Sequence, residues 1–175
     1  ENRGEALGKG WAASLTMGAG QFCTNPGIAV LLAGPEADEF VSTVSNNLSS
    51  VPAQVMLTDG IAQAYRAGQK RIAAATGVRE VLATSCELRD ATPYLYATTA
   101  AEWLKNNQLA EEVFGPLGVV VLASSVEEML QVAKSLEGQL TCTIHLDESD
   151  IRDAKSFLPV LERKAGRILA NAFPT

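Results

Sequence analysis

The unbroken apolar run at residues 117–123, Leu-Gly-Val-Val-Val-Leu-Ala, constrains this chain more than any other stretch. A strand with one wet face alternates apolar and polar residues. A strand that is apolar throughout has to be covered on both sides, which is the habit of parallel sheets whose crossovers lay helices on each face. The remaining sequence supplies those helices. Leu7, Trp11 and Leu15 recur four apart ahead of a glycine-rich turn, one stripe of a helix. Pro35 suits the first turn of a second helix with Ala37, Phe40, Val41, Val44 and Leu48 on one face. Thr58 is the expected N-cap of a third, in which Ile61, Tyr65, Gly68, Ile72 and Ala75 share a face and Gly77 closes the helix. Ser124-Ser125-Val126-Glu127 reads as a capping-box start for a fourth, whose stripe is Val126, Met129, Leu130, Ala133 and Leu136. A fifth covers about residues 150–165, kinked or split at Pro159 and ended by Gly166.

Between these helices, apolar or alternating runs at 28–33, 78–83, 93–98, 139–146 and 167–171 read as further strands, with a short helix at 100–107. Residues 84–92 form a polar loop without a legible role. Strands separated by helices, joined by right-handed crossovers, predict an α/β fold of three layers: a mostly parallel sheet with helices on both faces. At 175 residues a single core suffices.

Composition removes several functional classes. A net charge of −6 with 14 Lys and Arg gives no basic stripe for nucleic acid, and no apolar run reaches the length of a membrane helix. Cys23, Cys86 and Cys142 are odd in number and widely spaced, so neither a disulfide framework nor a zinc knuckle is expected. With one histidine and no HExxH, no metal is expected. No signal peptide is visible, and reduced cytoplasm is the expected setting. Lys70-Arg71 reads as a solvated helix face, and the Asn47-Leu48-Ser49 sequon as unused. Neither GxGxxG nor GxxxxGK[ST] occurs; Gly18-Ala19-Gly20 begins like the first but follows a helix instead of a strand.

Two short stretches carry chemistry. In residues 17–30, MGAGQFCTNPGIAV, Gly18 and Gly20 permit positive φ and end the first helix, leaving Cys23 on a turn before a strand. A thiol there can act as a nucleophile if something other than the preceding helix helps it ionise, because a helix C-terminus disfavours a thiolate. In Glu111-Glu112-Val113-Phe114-Gly115-Pro116 a carboxylate and an aromatic two residues apart precede the buried strand, placed to face one ligand together.

Gly20-Gln21-Phe22-Cys23 resembles the nucleophile signature of the aldehyde dehydrogenase superfamily. Its continuation Thr24-Asn25-Pro26-Gly27 is similar to the branch of 2,5-dioxovalerate (α-ketoglutaric semialdehyde) dehydrogenases and related NADP-dependent enzymes, which includes long-chain fatty aldehyde oxidisers. The 111–116 motif resembles the EExFGP loop of the same superfamily. Leu140-Thr141-Cys142-Thr143-Ile144-His145 resembles the branch's LTATIH strand with cysteine for alanine, and residues 166–175 resemble its GRxxxNxxPT segment.

The resemblance implies that residues 1–175 are the catalytic domain of a larger NAD- or NADP-dependent enzyme. That enzyme would oxidise an aldehyde, 2,5-dioxopentanoate or a long-chain fatty aldehyde, to an acid. It makes Cys23 the nucleophile with its backbone N–H as an oxyanion donor, Glu112 the acceptor for the nicotinamide ribose hydroxyls, and Phe114 the residue packed beside the nicotinamide. The nucleotide-binding domain, general-base glutamate and oxyanion asparagine of the superfamily have no match here. Cytoplasmic location and a homo-oligomer are further implications. Two other classes compete: a non-catalytic α/β interaction module, and a cysteine hydrolase with His145 as its base.

Overall fold

The run at 117–123 is the central strand. β6 (Leu117–Ala123) lies between β1 (Ile28–Leu32) and β5 (Tyr94–Thr99) and is parallel to both, while β3 (Val78–Leu82) pairs antiparallel with β5 at the edge. The computed structural model describes residues 3–175. Period-two alternation sorts the strand side chains into two cores. Tyr94, Tyr96, Leu117, Val119 and Val121 join Tyr65 and Ile72 of α3 (Asp59–Ala73), Trp103 of α4 (Ala100–Trp103) and Val132 of α5 (Val126–Ser135). Leu95, Ala97 and Val120 join Trp11 and Leu15 of α1 (Arg3–Thr16) and Phe40, Val44 and Leu48 of α2 (Pro35–Ser49). The expected three layers, helices on both faces of a mostly parallel sheet, are present.

Two pairs of strands stand apart from that sheet. β7 (Gln139–Ile144) and β8 (Ala165–Ala170) pair parallel with each other, joined by α6 (Ile151–Lys164). β2 (Gln54–Val55) and β4 (Asp90–Ala91) pair antiparallel. The loop at 84–92 therefore contains a two-residue strand, too short to register as periodicity.

Local signals held at several helix starts. The Thr58 hydroxyl accepts from the Ile61 N–H, and Ser125 accepts from the Glu128 N–H. The second cap is displaced from a strict capping box: Glu128 returns to the N–H and hydroxyl of Ser124, one residue before the N-cap. The buried face of α5 centres on Val132, with Met129 and Leu136 against the core, so the expected stripe is rotated toward Val132.

The last helix departs further from expectation. Pro159 does not split α6, which runs unbroken from Ile151 to Lys164. Much of α6 is exposed, so water can satisfy the carbonyl that loses its N–H partner. Gly166 does not end the helix. The chain passes directly from Lys164 into β8, and Gly166 is extended within it, because pairing with β7 decides the conformation there.

Candidate functional site

α1 ends at Thr16, and the turn that follows is left-handed: Gly18, Ala19 and Gly20 have φ of 56°, 57° and 65°. The two glycines take this region freely, whereas Ala19 pays a penalty of roughly 1 kcal/mol. Its surroundings hold it there. The Ala19 N–H donates to Gln54 Oε1 at 2.9 Å, and Gln54 Nε2 donates to the Thr16 carbonyl at 3.2 Å. The Leu57 N–H donates to Gln21 Oε1 at 2.8 Å, and Asn25 Nδ2 donates to the Leu15 carbonyl at 2.8 Å. The short strand β2 thus braces the turn on one side, and Asn25 caps the end of α1.

Beyond this brace the Asn25 N–H donates to the Phe22 carbonyl at 3.0 Å, closing a four-residue turn with Cys23 and Thr24 at its centre. Cys23 is exposed, whereas Cys86 and Cys142 are partly buried. Among the described residues, neither the Cys23 thiol nor its backbone N–H has a hydrogen-bond partner.

The carboxylate loop comes to the same place. A Cβ on Gly20 would collide with the Gly115 carbonyl and lie 2.6 Å from the Pro116 nitrogen, so the two motifs are in backbone contact despite their separation in sequence. The topology explains it. Residues 21–27 lead into β1 and residues 111–116 into β6, and the two strands are parallel neighbours, with Val119 N–H donating to the Gly27 carbonyl at 2.9 Å. The site lies at the amino-terminal edge of the sheet, opposite to the end that open α/β sheets usually use.

Glu111 and Glu112 have different surroundings. Arg71 of α3 lies 3.3 Å from the Glu111 carboxylate through Nη1 and donates to the Glu111 carbonyl at 3.1 Å through Nη2. Glu112 is exposed and has no partner among the described residues; Phe114 is partly buried. Arg71 is thus a partly exposed helix residue that also pairs with this loop, whereas Lys70 beside it makes no such contact. A free carboxylate two residues from a partly open aromatic ring can offer hydrogen-bond acceptors and a flat face to a ligand.

The closing segment also reaches this region. Phe173 packs so closely on α1 that a Cβ on Gly10 would collide with its ring. Thr175 Oγ1 donates to the Ser14 carbonyl at 2.9 Å, and Thr24 Oγ1 donates to the Pro174 carbonyl at 3.5 Å. Residue Asn171, left-handed at φ 51°, bonds the Leu146 N–H and carbonyl and accepts from Arg3. Cys142 is a β7 residue paired with Ile168, and burial pushes its thiol up.

His145 is packed against Phe173 with ring centroids 4.9 Å apart, its Nδ1 buried without a partner and no hydrogen bond to Cys23 among the described residues. Burial, with a smaller contribution from Arg3, lowers its pKa below 6.5. The unfolded chain therefore binds the extra proton first as pH falls, and stability is lost from about pH 6.5 down to the folded pKa. The Arg3–Asp147 ion pair holds Asp147 below 3.8, so its contribution disappears in a separate, more acidic window. Urea unfolding between pH 7 and 5 should show a falling midpoint, with a shallower fall in His145→Gln. An equal fall in that variant would assign the effect elsewhere.

No protein-family model matches the sequence. The chain is 44% identical over 178 residues to alpha-ketoglutaric semialdehyde dehydrogenase 2 of Azospirillum brasilense, covering 99% of this chain and 33% of that protein. It is 36% identical over 176 residues to alpha-ketoglutaric semialdehyde dehydrogenase of Acinetobacter baylyi, covering 99% and 34%. Among solved structures, succinic semialdehyde dehydrogenase from Streptococcus pyogenes, in complex with NADP+ as the cofactor, aligns with a TM-score of 0.75 at 23% identity, covering 97% of this chain and 38% of that one. The chain spans about a third of the length of the curated relatives it matches. Over that third it is similar in sequence to these two dehydrogenases and in fold to the solved structure.

Proposed function

We propose that this chain is the nucleophile-bearing part of an NAD(P)-dependent aldehyde dehydrogenase that oxidises 2,5-dioxopentanoate to 2-oxoglutarate. The observation that carries the proposal is the backbone contact of Gly20 with Gly115 and Pro116, which joins the turn holding an exposed thiol to the loop holding a free carboxylate and an aromatic ring. The two relatives named for α-ketoglutaric semialdehyde support the substrate. A non-catalytic module would have no use for Cys23 standing more exposed than Cys86 and Cys142, and a hydrolase would need His145 beside Cys23.

In this reading Cys23 Sγ, as thiolate, attacks the aldehyde carbon, and the Cys23 backbone N–H donates to the oxygen on which charge develops. Glu112 would accept the ribose hydroxyls of the cofactor and Phe114 would pack against its nicotinamide, fixing that ring beside the thiohemiacetal. NAD(P)+ held by Glu112 and Phe114 would supply the two-electron acceptor needed to oxidise the Cys23-bound adduct to a thioester. Water then hydrolyses the thioester, releasing the acid and returning the Cys23 thiolate. The activating base would come from outside these residues, since no His, Lys or carboxylate is bonded to Cys23 among those described.

Three free cysteines fit a reducing cytoplasm, where an exposed nucleophilic thiol keeps its reactive form. Among the described residues no helix is long and apolar enough to cross a membrane. The two-stranded β7–β8 unit leaves Leu140 59% exposed, an apolar edge suited to a second copy of the protein, and light scattering would check the homo-oligomer.

Glu112→Gln keeps the shape but loses the charge-assisted acceptor. In the full-length enzyme it should slow hydride transfer by about tenfold or more while acylation of Cys23 changes less. Stopped-flow detection of the first NAD(P)H turnover decides this: an unchanged burst rate would remove Glu112 from the site. Steady-state comparison of 2,5-dioxopentanoate with a long-chain fatty aldehyde tests the substrate.

A further inference from the structure

We infer that Arg71 is a positioning residue that selects Glu112 over its neighbour Glu111 as the carboxylate offered to the cofactor. The inference rests on the proposed role of Glu112 and goes beyond it. Two adjacent glutamates in a loop are chemically equivalent acceptors, so something has to distinguish them. Arg71 does so by engaging Glu111 twice, at its carboxylate and at its backbone carbonyl. Glu112 keeps its full charge and all its acceptor sites. With Glu111 offset by a guanidinium, the loop also presents one net carboxylate instead of two to a ligand that itself carries phosphates.

Arg71 acts from a firm base, because α3 grips the loop at three points. Gly68 meets Val113 so closely that a Cβ on it would lie 2.8 Å from Val113 Cγ1. A Cβ on Gly115 would collide with the Tyr65 ring, and the fully buried Tyr65 donates through its hydroxyl to the Thr92 carbonyl at 2.7 Å. Tyr65, Gly68 and Arg71 are three apart along one side of the helix, and they hold residues 115, 113 and 111 of the loop in reverse order. Between them, odd-numbered loop residues are tied to α3, while Glu112 is left untied. Arg71 Nε is buried without a partner, so the side chain is drawn inward at a cost that its two Nη contacts offset.

The ion pair is largely exposed, so it is a weak contributor to stability. That separates a positioning role from a structural one. In the full-length enzyme Arg71→Ala should raise the Kd for NADP+, measured by calorimetry without substrate, by about fivefold or more. Arg71→Lys, which keeps the charge but not the two-point hold, should fall between. Acylation of Cys23 by an activated ester needs no cofactor and should stay within about twofold of wild type, with the melting temperature unchanged. Glu112→Gln serves as the reference. If Glu112→Gln weakens NADP+ binding and Arg71→Ala does not, the inference about Arg71 is overturned while the site stands. If neither variant alters binding, the assignment of Glu112 itself fails. Equal losses of cofactor binding, acylation and melting temperature in Arg71→Ala would make it a structural residue and overturn the positioning role.

Discussion

Cys23→Ala in the full-length enzyme should reduce aldehyde oxidation by about a thousandfold or more, and Cys86→Ala should leave it near wild type. The proposed chemistry requires a sulfur that forms and then loses a bond to the acyl carbon, which neither alanine nor a nearby hydroxyl replaces. The structure leaves few substitutes. Cys142 is paired into β7–β8 with its thiol pushed up by burial, and Cys86 is partly buried in the 84–92 loop. Cys23 is exposed on a solvent-facing turn, so truncating its thiol removes little packing, and the melting temperature should barely change. Loss of activity with retained stability is the expected pair of results. Turnover above a few per cent of wild type would place the chemistry on another residue.

How much of this was legible before the structure depends on the range of the interactions involved. The buried run at 117–123 dictated a central strand, and the stripes of α1 and α2 dictated which side chains meet it, because burial is written locally as periodicity. Pro159 and Gly166 misled for the complementary reason. Their local preferences are weak beside tertiary pairing, and β8 starts where β7 can pair with it. The site divides the same way. Cys23, Glu112 and Phe114 are carried by short motifs, so a resemblance could single them out. Gln54, Tyr65 and Arg71 hold those motifs in place from far along the chain, and nothing beside them in the sequence names their partners. For Arg71 the one available signal was its three-residue spacing from Gly68 and Tyr65, the row along α3 that meets residues 111–115.

Gly20→Ala should destabilise the protein by about 3 kcal/mol or more and scatter the site. Two independent costs add. At φ 65° an L-residue is strained by roughly 1–2 kcal/mol, as Ala19 beside it already is. The added Cβ also falls on backbone, at the Gly115 carbonyl and the Pro116 nitrogen, where no side chain can swing aside. That backbone is itself held. The Pro116 carbonyl accepts from the Tyr94 N–H at 3.1 Å and from the Tyr65 hydroxyl at 3.4 Å, and the Gly115 carbonyl accepts from the Leu117 N–H at 2.9 Å. Since the loop is anchored to β5, β6 and α3, the turn carrying Cys23 has to move away, separating the thiol from Glu112 and Phe114. Gly27→Ala is the matched control: its Cβ would meet only ordinary contacts at 3.6 and 3.9 Å, and the melting temperature and turnover should stay near wild type. A Gly20→Ala protein with wild-type melting temperature and hydride-transfer rate would show that the two motifs do not depend on this contact, and the proposed site would lose the observation on which it rests.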